Sequence, residues 1–112
     1  MKKSVREAVY DKYYGRCAYC GKRIEYKDMQ VDHIHPRCFG GEDSFDNYNP
    51  SCRRCNHYKR GDGIEYLRTM LLTMHTRLQK EYLIKVALDY GIIEFKEFEG
   101  LFYFEKQTRR SE

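Results

Sequence analysis

Apolar residues recur at helical steps near both ends of the chain and lose that rhythm in between. Val5, Ala8 and Val9 begin a stripe, Ser4 and Glu7 have the offset of a capping box, and Gly15 after Tyr14 suits a left-handed C-cap. The pattern predicts a helix over 5–14. Towards the other end, Ile64, Leu67, Leu71, Met74 and Leu78 step by three and four through a stretch free of Gly and Pro. The stripe then drifts onto Tyr82, Val86 and Tyr90 before Gly91. One long amphipathic helix is expected over 64–90. In the tail, Phe95, Phe98 and Phe102 have helical spacing, but the run from Phe98 to Phe104 reads better as a hairpin turning at Glu99-Gly100.

From Arg16 to Gly61 the pieces are short: a Cys17-Ala-Tyr-Cys20-Gly turn, an extended Gln30 to Ile34, a Gly40-Gly41 loop, a second cysteine pair, and a segment of helical composition from Arg53 to Arg60. The mixture predicts an α+β fold. The 112 residues make one domain, 1–112, with 16–61 as its core and 62–112 as a helical extension. A chain this small buries little surface and needs a staple, and five cysteines offer one. No apolar run is long enough to span a membrane, and the opening Met1-Lys-Lys-Ser-Val-Arg-Glu lacks the apolar region of a secretory signal. With an odd number of cysteines, this fits reduced thiols in a cytoplasmic protein, with zinc as the staple.

Cys17 and Cys20, and again Cys52 and Cys55, form C-x-x-C turns, each able to bring two sulfurs to one ion at about 2.3 Å. Two such turns complete a tetrahedron with no open position, so the site is structural. The 31 residues between Cys20 and Cys52 exceed the interval of a simple zinc ribbon, so a further unit is inserted between the knuckles. Disulfides or a thiol redox pair are the weaker readings, and Cys38 is a loop thiol.

The insertion carries the candidate chemistry. Asp32 and His33 sit where the extended segment approaches Pro36. Neighbours on a strand face opposite ways, but a strand end can turn both towards one cleft. There a carboxylate holds a hard cation and an imidazole takes a proton from water. On a helix over 53–60, Arg53, Asn56, Lys59 and Arg60 share a face, while His57 is turned by about 100° from Asn56. The net charge of +4 is concentrated in residues 1–61, which carry thirteen basic and eight acidic side chains against eight and nine in the remainder. A polyanion would meet the first part.

The ordered set Cys17-Ala-Tyr-Cys20-Gly, Val31-Asp32-His33-Ile34-His35-Pro36, Gly40-Gly41, Asp46-Asn47-Tyr48 and Cys52-Arg-Arg-Cys55-Asn56-His57-Tyr58-Lys59 resembles the HNH endonuclease family. The likeness is to members whose ββα-metal unit lies between two zinc knuckles, in the variant with Asn at the last motif position. The resemblance implies a DNA endonuclease with His33 as general base and Asn47 holding the His33 ring by a hydrogen bond. Asp32 and Asn56 would ligate a catalytic Mg²⁺ or Mn²⁺, and the products would be a 5′-phosphate and a 3′-hydroxyl. Structural Zn²⁺ would sit on the four cysteines. Arg37, Arg53, Arg54, Lys59 and Arg60 are the cations expected to grip phosphates. DNA is the implied partner and no membrane is; a homodimer or a larger nuclease assembly stays open. The other reading from the residues is a non-catalytic zinc-ribbon module that binds nucleic acid. His35 and His75 have no role beyond packing or lining the cleft.

Overall fold

The computed structural model describes residues 1–110, with side chains through residue 107. Helix α1 (Lys3–Asp11) buries Val9 against Met29 and Tyr48. Arg6 anchors it by donating to the carbonyls of Tyr26 and Met29, both at 2.9 Å. It stops short of the predicted end at residue 14 because Tyr14 (φ 57°) and Gly15 (φ 77°) both take left-handed backbone, turning the chain into the first cysteine pair.

Strands β1 (Gln30–His33) and β2 (Tyr48–Ser51) pair antiparallel, with Asp32 opposite Asn49 and His33 opposite Tyr48. Pro50 is tolerated because the sheet has two strands, and its carbonyl accepts from the Ala18 N–H at 2.8 Å. The loop between the strands folds tightly on itself. A Cβ on Gly41 would lie 1.7 Å from the His35 carbonyl oxygen, so only glycine fits there. Helix α2 (Arg53–Lys59) follows β2 directly, and the Cys52 sulfur caps it by accepting from the Cys55 N–H.

The expected helix over 64–90 is three: α3 (Ile64–Leu72), α4 (Met74–Leu78) and α5 (Tyr82–Asp89). The first break, at Thr73, needs neither Gly nor Pro. The Thr73 hydroxyl donates to the Thr69 carbonyl at 2.8 Å, and the Arg77 guanidinium takes both the Met70 carbonyl and the Thr73 hydroxyl, so side chains compete with the backbone ladder. Of the residues read as the end of one stripe, Tyr82 and Tyr90 are exposed and Val86 is half-buried.

The expected hairpin at Glu99-Gly100 is also replaced. Gly100 (φ 89°) turns the chain into α6 (Tyr103–Arg110), whose Glu105 accepts from the Phe102 N–H at 2.9 Å. Arg68 of α3 clamps this turn. It takes the Gly100 carbonyl and pairs with both oxygens of Glu105, which holds the Glu105 carboxyl below its usual range. The extension therefore docks on the first cysteine turn: the Tyr103 and Phe104 N–H groups donate to the Tyr19 and Ala18 carbonyls. Phe102 joins Cys17, Tyr19, Cys52, Ile64 and Leu67 in the main core. No helix among the described residues is long and apolar enough to cross a membrane.

Candidate active site and metal centre

Each cysteine pair is held by local backbone geometry. In the first, the Cys17 N–H donates to the Lys22 carbonyl and the Gly21 N–H to the Cys17 carbonyl, closing the turn. In the second, Cys52 and Cys55 share the first turn of α2. The four sulfurs lie within 4.8 Å of one another, with 4.0 Å between those of Cys20 and Cys52. Tetrahedral bonds to zinc place sulfurs about 3.8 Å apart, so the cluster fits that ion. Sulfurs this close ionise together only where a cation offsets their charge. Hydrogen bonds from Cys20 and Cys55 push the Cys17 thiol down, and hydrogen bonding to the Cys17 and Cys20 sulfurs pushes Cys55 up.

Asp32 is buried at 7% exposure, where a lone carboxylate would be costly. Two donors meet it. The Tyr19 hydroxyl, from within the first knuckle, hydrogen-bonds its Oδ2, and the Lys59 ammonium lies 3.1 Å from the same oxygen. Burial first, and the Asp32 charge second, raise the Tyr19 phenol far above its ordinary range, so it stays a donor. Oδ1 has no partner among the described residues. Asn49, opposite Asp32 on the same face of the sheet, is wholly buried with its amide beside the Tyr19 hydroxyl, and neither amide atom makes a hydrogen bond of good geometry among the described residues.

His33 turns to the other side. Its Nε2 lies 2.8 Å from Asp43 Oδ1, an oxygen that also accepts from Arg37 Nε at 2.7 Å. The ring stands edge-on to Tyr48, with centroids 5.2 Å apart. The hydrogen bond to His33 and the Arg37 guanidinium beside it hold the Asp43 carboxyl below the usual carboxylate range. The predicted hydrogen bond from Asn47 to the His33 ring is absent from this arrangement. The Asn47 amide instead brackets the loop, accepting from the His35 N–H at 3.0 Å and donating to the carbonyls of His35 and Glu42.

Asp32, His33, Arg37, Lys59 and Arg60 line one cleft of about 380 Å³, because His33 ends the strand that Asp32 shares. Asn56 is half-buried one turn before Lys59 in α2, and it is not among the residues that line this cleft. Its amide oxygen and the free Asp32 Oδ1 are hard donors of the kind Mg²⁺ and Mn²⁺ take, so the donor chemistry suits that ion. His57 instead lines a separate groove of about 870 Å³ with Tyr19, Leu67 and Phe102. Arg53, Arg54 and Arg60 are exposed and pair with no acidic side chain among the described residues, whereas Arg37 is engaged by Asp43. Lys59, expected to face phosphates, is 1% exposed, and its ammonium also donates to the His33 carbonyl at 2.9 Å. It is an internal counter-charge. Sequence reasoning passed over Tyr19 and Asp43. Tyr19 was one tyrosine of eleven with no pattern of its own, and Asp43 sits in a loop whose conformation brings it to His33.

Comparison with known proteins finds that the family model described as HNH endonuclease matches residues 17–72, half of the chain. No curated protein matches. Among solved structures, the Type II-C Cas9 enzyme from Actinomyces naeslundii is 34% identical over 51% of this chain, with a TM-score of 0.47. The aligned part is 6% of that enzyme's length.

Proposed function

The chain belongs to the HNH endonuclease family, and we infer from that premise that it is a divalent-metal-dependent endonuclease hydrolysing phosphodiester bonds of DNA. The observation that carries this reading is the single cleft onto which a buried carboxylate, a held imidazole and the unpaired Arg60 all open. A phosphodiester is anionic and repels hydroxide, so hydrolysis needs a base to make the nucleophile and positive charge to receive the phosphate.

With Nε2–H donating to Asp43, His33 keeps Nδ1 as the basic nitrogen, and that atom takes the proton of the attacking water. Asp43 orients the ring and Arg37 pins Asp43. Asn47 acts on His33 indirectly, by fixing the loop that follows it. Asp32 and Asn56 would hold the divalent ion, which supplies charge neutralisation at the phosphate and at the leaving 3′ oxygen. Arg53, Arg54 and Arg60 bind flanking phosphates. The four-cysteine zinc site is structural, fixing the turn that carries Tyr19 and the helix that carries Asn56 and Lys59.

The test is incubation of supercoiled plasmid with purified protein in Mg²⁺, Mn²⁺ or EDTA. Nicked or linear forms are expected with either ion and not with EDTA. His33→Ala should bind DNA and hold zinc as wild type does while failing to cut. A wild-type protein that binds plasmid and leaves it supercoiled in both ions would make the chain a nucleic-acid-binding module instead.

A further inference from the structure

We propose that Tyr19 is a positioning residue for Asp32, and that the C-terminal segment, through Phe102 and Phe104, holds Tyr19 in that role. The inference rests on the reading of Asp32 as a ligand of the catalytic ion and assigns to residues 62–107 a part in that same site.

An aspartate on a strand has a loosely defined terminal torsion, so which oxygen it turns to the cleft is decided by its neighbours. Here both neighbours act on Oδ2. Lys59 reaches it on a flexible four-carbon stem, whereas Tyr19 is rigid and fixed from several directions. Its backbone lies within the Cys17–Cys20 turn, and its carbonyl accepts from the Tyr103 N–H at 3.1 Å. Its ring meets Phe102 edge-on at 5.5 Å and 88°, and Phe104 at 6.0 Å and 87°. Arg68 in turn secures the turn before these two rings through Gly100 and Glu105. A ring serving only to fill the core would need no hydroxyl. This one is 4% exposed, and its hydroxyl donates to Asp32 Oδ2. The zinc knuckle and the tail thus converge on one phenol, which leaves Oδ1 as the oxygen presented to the ion.

Tyr19→Phe keeps the ring and removes the hydroxyl. The measurements, on the full chain with zinc, are zinc content, circular dichroism, Mn²⁺ binding followed by the electron paramagnetic resonance of free Mn²⁺ in a His33→Ala background, and plasmid nicking against Mn²⁺ concentration. Zinc content and fold should stay at wild-type levels. Mn²⁺ should bind roughly tenfold more weakly, the loss usual when a partner of a metal ligand is removed, and excess Mn²⁺ should restore most of the nicking rate. Phe102→Leu should shift Mn²⁺ binding in the same direction by less. Unchanged Mn²⁺ affinity in Tyr19→Phe overturns the proposal. So does loss of zinc and fold, since the hydroxyl would then be holding the domain together and not the carboxylate. Asp32→Asn separates the two levels. If it too leaves Mn²⁺ binding untouched, the ligand assignment itself falls; if it abolishes binding while Tyr19→Phe does not, only the positioning role falls.

Discussion

Replacing Lys59 by Met tests the electrostatics of the cleft directly. The side chain keeps its length and most of its packing, but the ammonium is lost from a position 1% exposed, 3.1 Å from Asp32 and within hydrogen-bond distance of the His33 carbonyl. What remains is a carboxylate with one donor, Tyr19, and a His33 carbonyl that has lost the ammonium. Breaking a buried pair from one side costs about 3–5 kcal/mol, because the surviving charge stays desolvated. At about 4 °C per kcal/mol for a domain near this size, the melting temperature should fall by roughly 10–20 °C in buffer without added Mg²⁺ or Mn²⁺. Saturating Mn²⁺ should then stabilise Lys59→Met more than wild type, since the ion supplies the missing positive charge to Asp32. Adding Asp32→Asn should recover much of the loss, because the double variant buries no unpaired charge. Differential scanning fluorimetry of the three proteins with and without Mn²⁺ reads all of this. A fall below about 3 °C, or equal stabilisation of wild type and variant by Mn²⁺, would refute the view that the ammonium and the divalent ion serve the same carboxylate.

Two further outcomes follow from the site. Asn56→Ala should raise the Mg²⁺ requirement or abolish nicking, and Asn56→His should keep some activity with a shift towards Ni²⁺ or Zn²⁺; His57→Ala, on the wall of the other groove, should cost little, and a metal titration of nicking that ranked the two residues the other way would move the ligand assignment. Cys52→Ser, or zinc removal by a chelator, should unfold residues 16–61, since the same sulfur belongs to the cluster and caps α2; circular dichroism showing a zinc-free protein of unchanged melting temperature would remove zinc from the account.

What the sequence made legible was local. Two C-x-x-C turns, an extended segment ending near Pro36 and a basic helix after the second knuckle depend on residues a few positions apart, and they fold as read. The helix over 64–90 was misjudged in part because its first break, at Thr73, comes from hydroxyl and guanidinium groups capturing backbone carbonyls, a competition that hydrophobic spacing does not record. The tail was misjudged because Arg68, over thirty residues away, determines what Gly100 and Glu105 do. Within the site, residue types announced themselves at Asp32 and His33, whereas the partners of those two did not. Tyr19, Asp43 and Lys59 owe their roles to distance in space. Lys59 was even read with the wrong sign of exposure, since its helical face was foreseen but not that β1 would cover it.

The docking of Phe102, Tyr103 and Phe104 on the first knuckle also bears on the order in which the molecule is made. Every group lining the cleft lies before residue 62, and so leaves the ribosome some forty residues ahead of the aromatic cluster that closes over Tyr19. A nascent chain can therefore pair its strands and gather its four thiols before Phe102 exists to cover them. Until then the apolar side of the knuckle stands open to water and to other nascent chains. A stretch synthesised some forty residues later is the one that shields it.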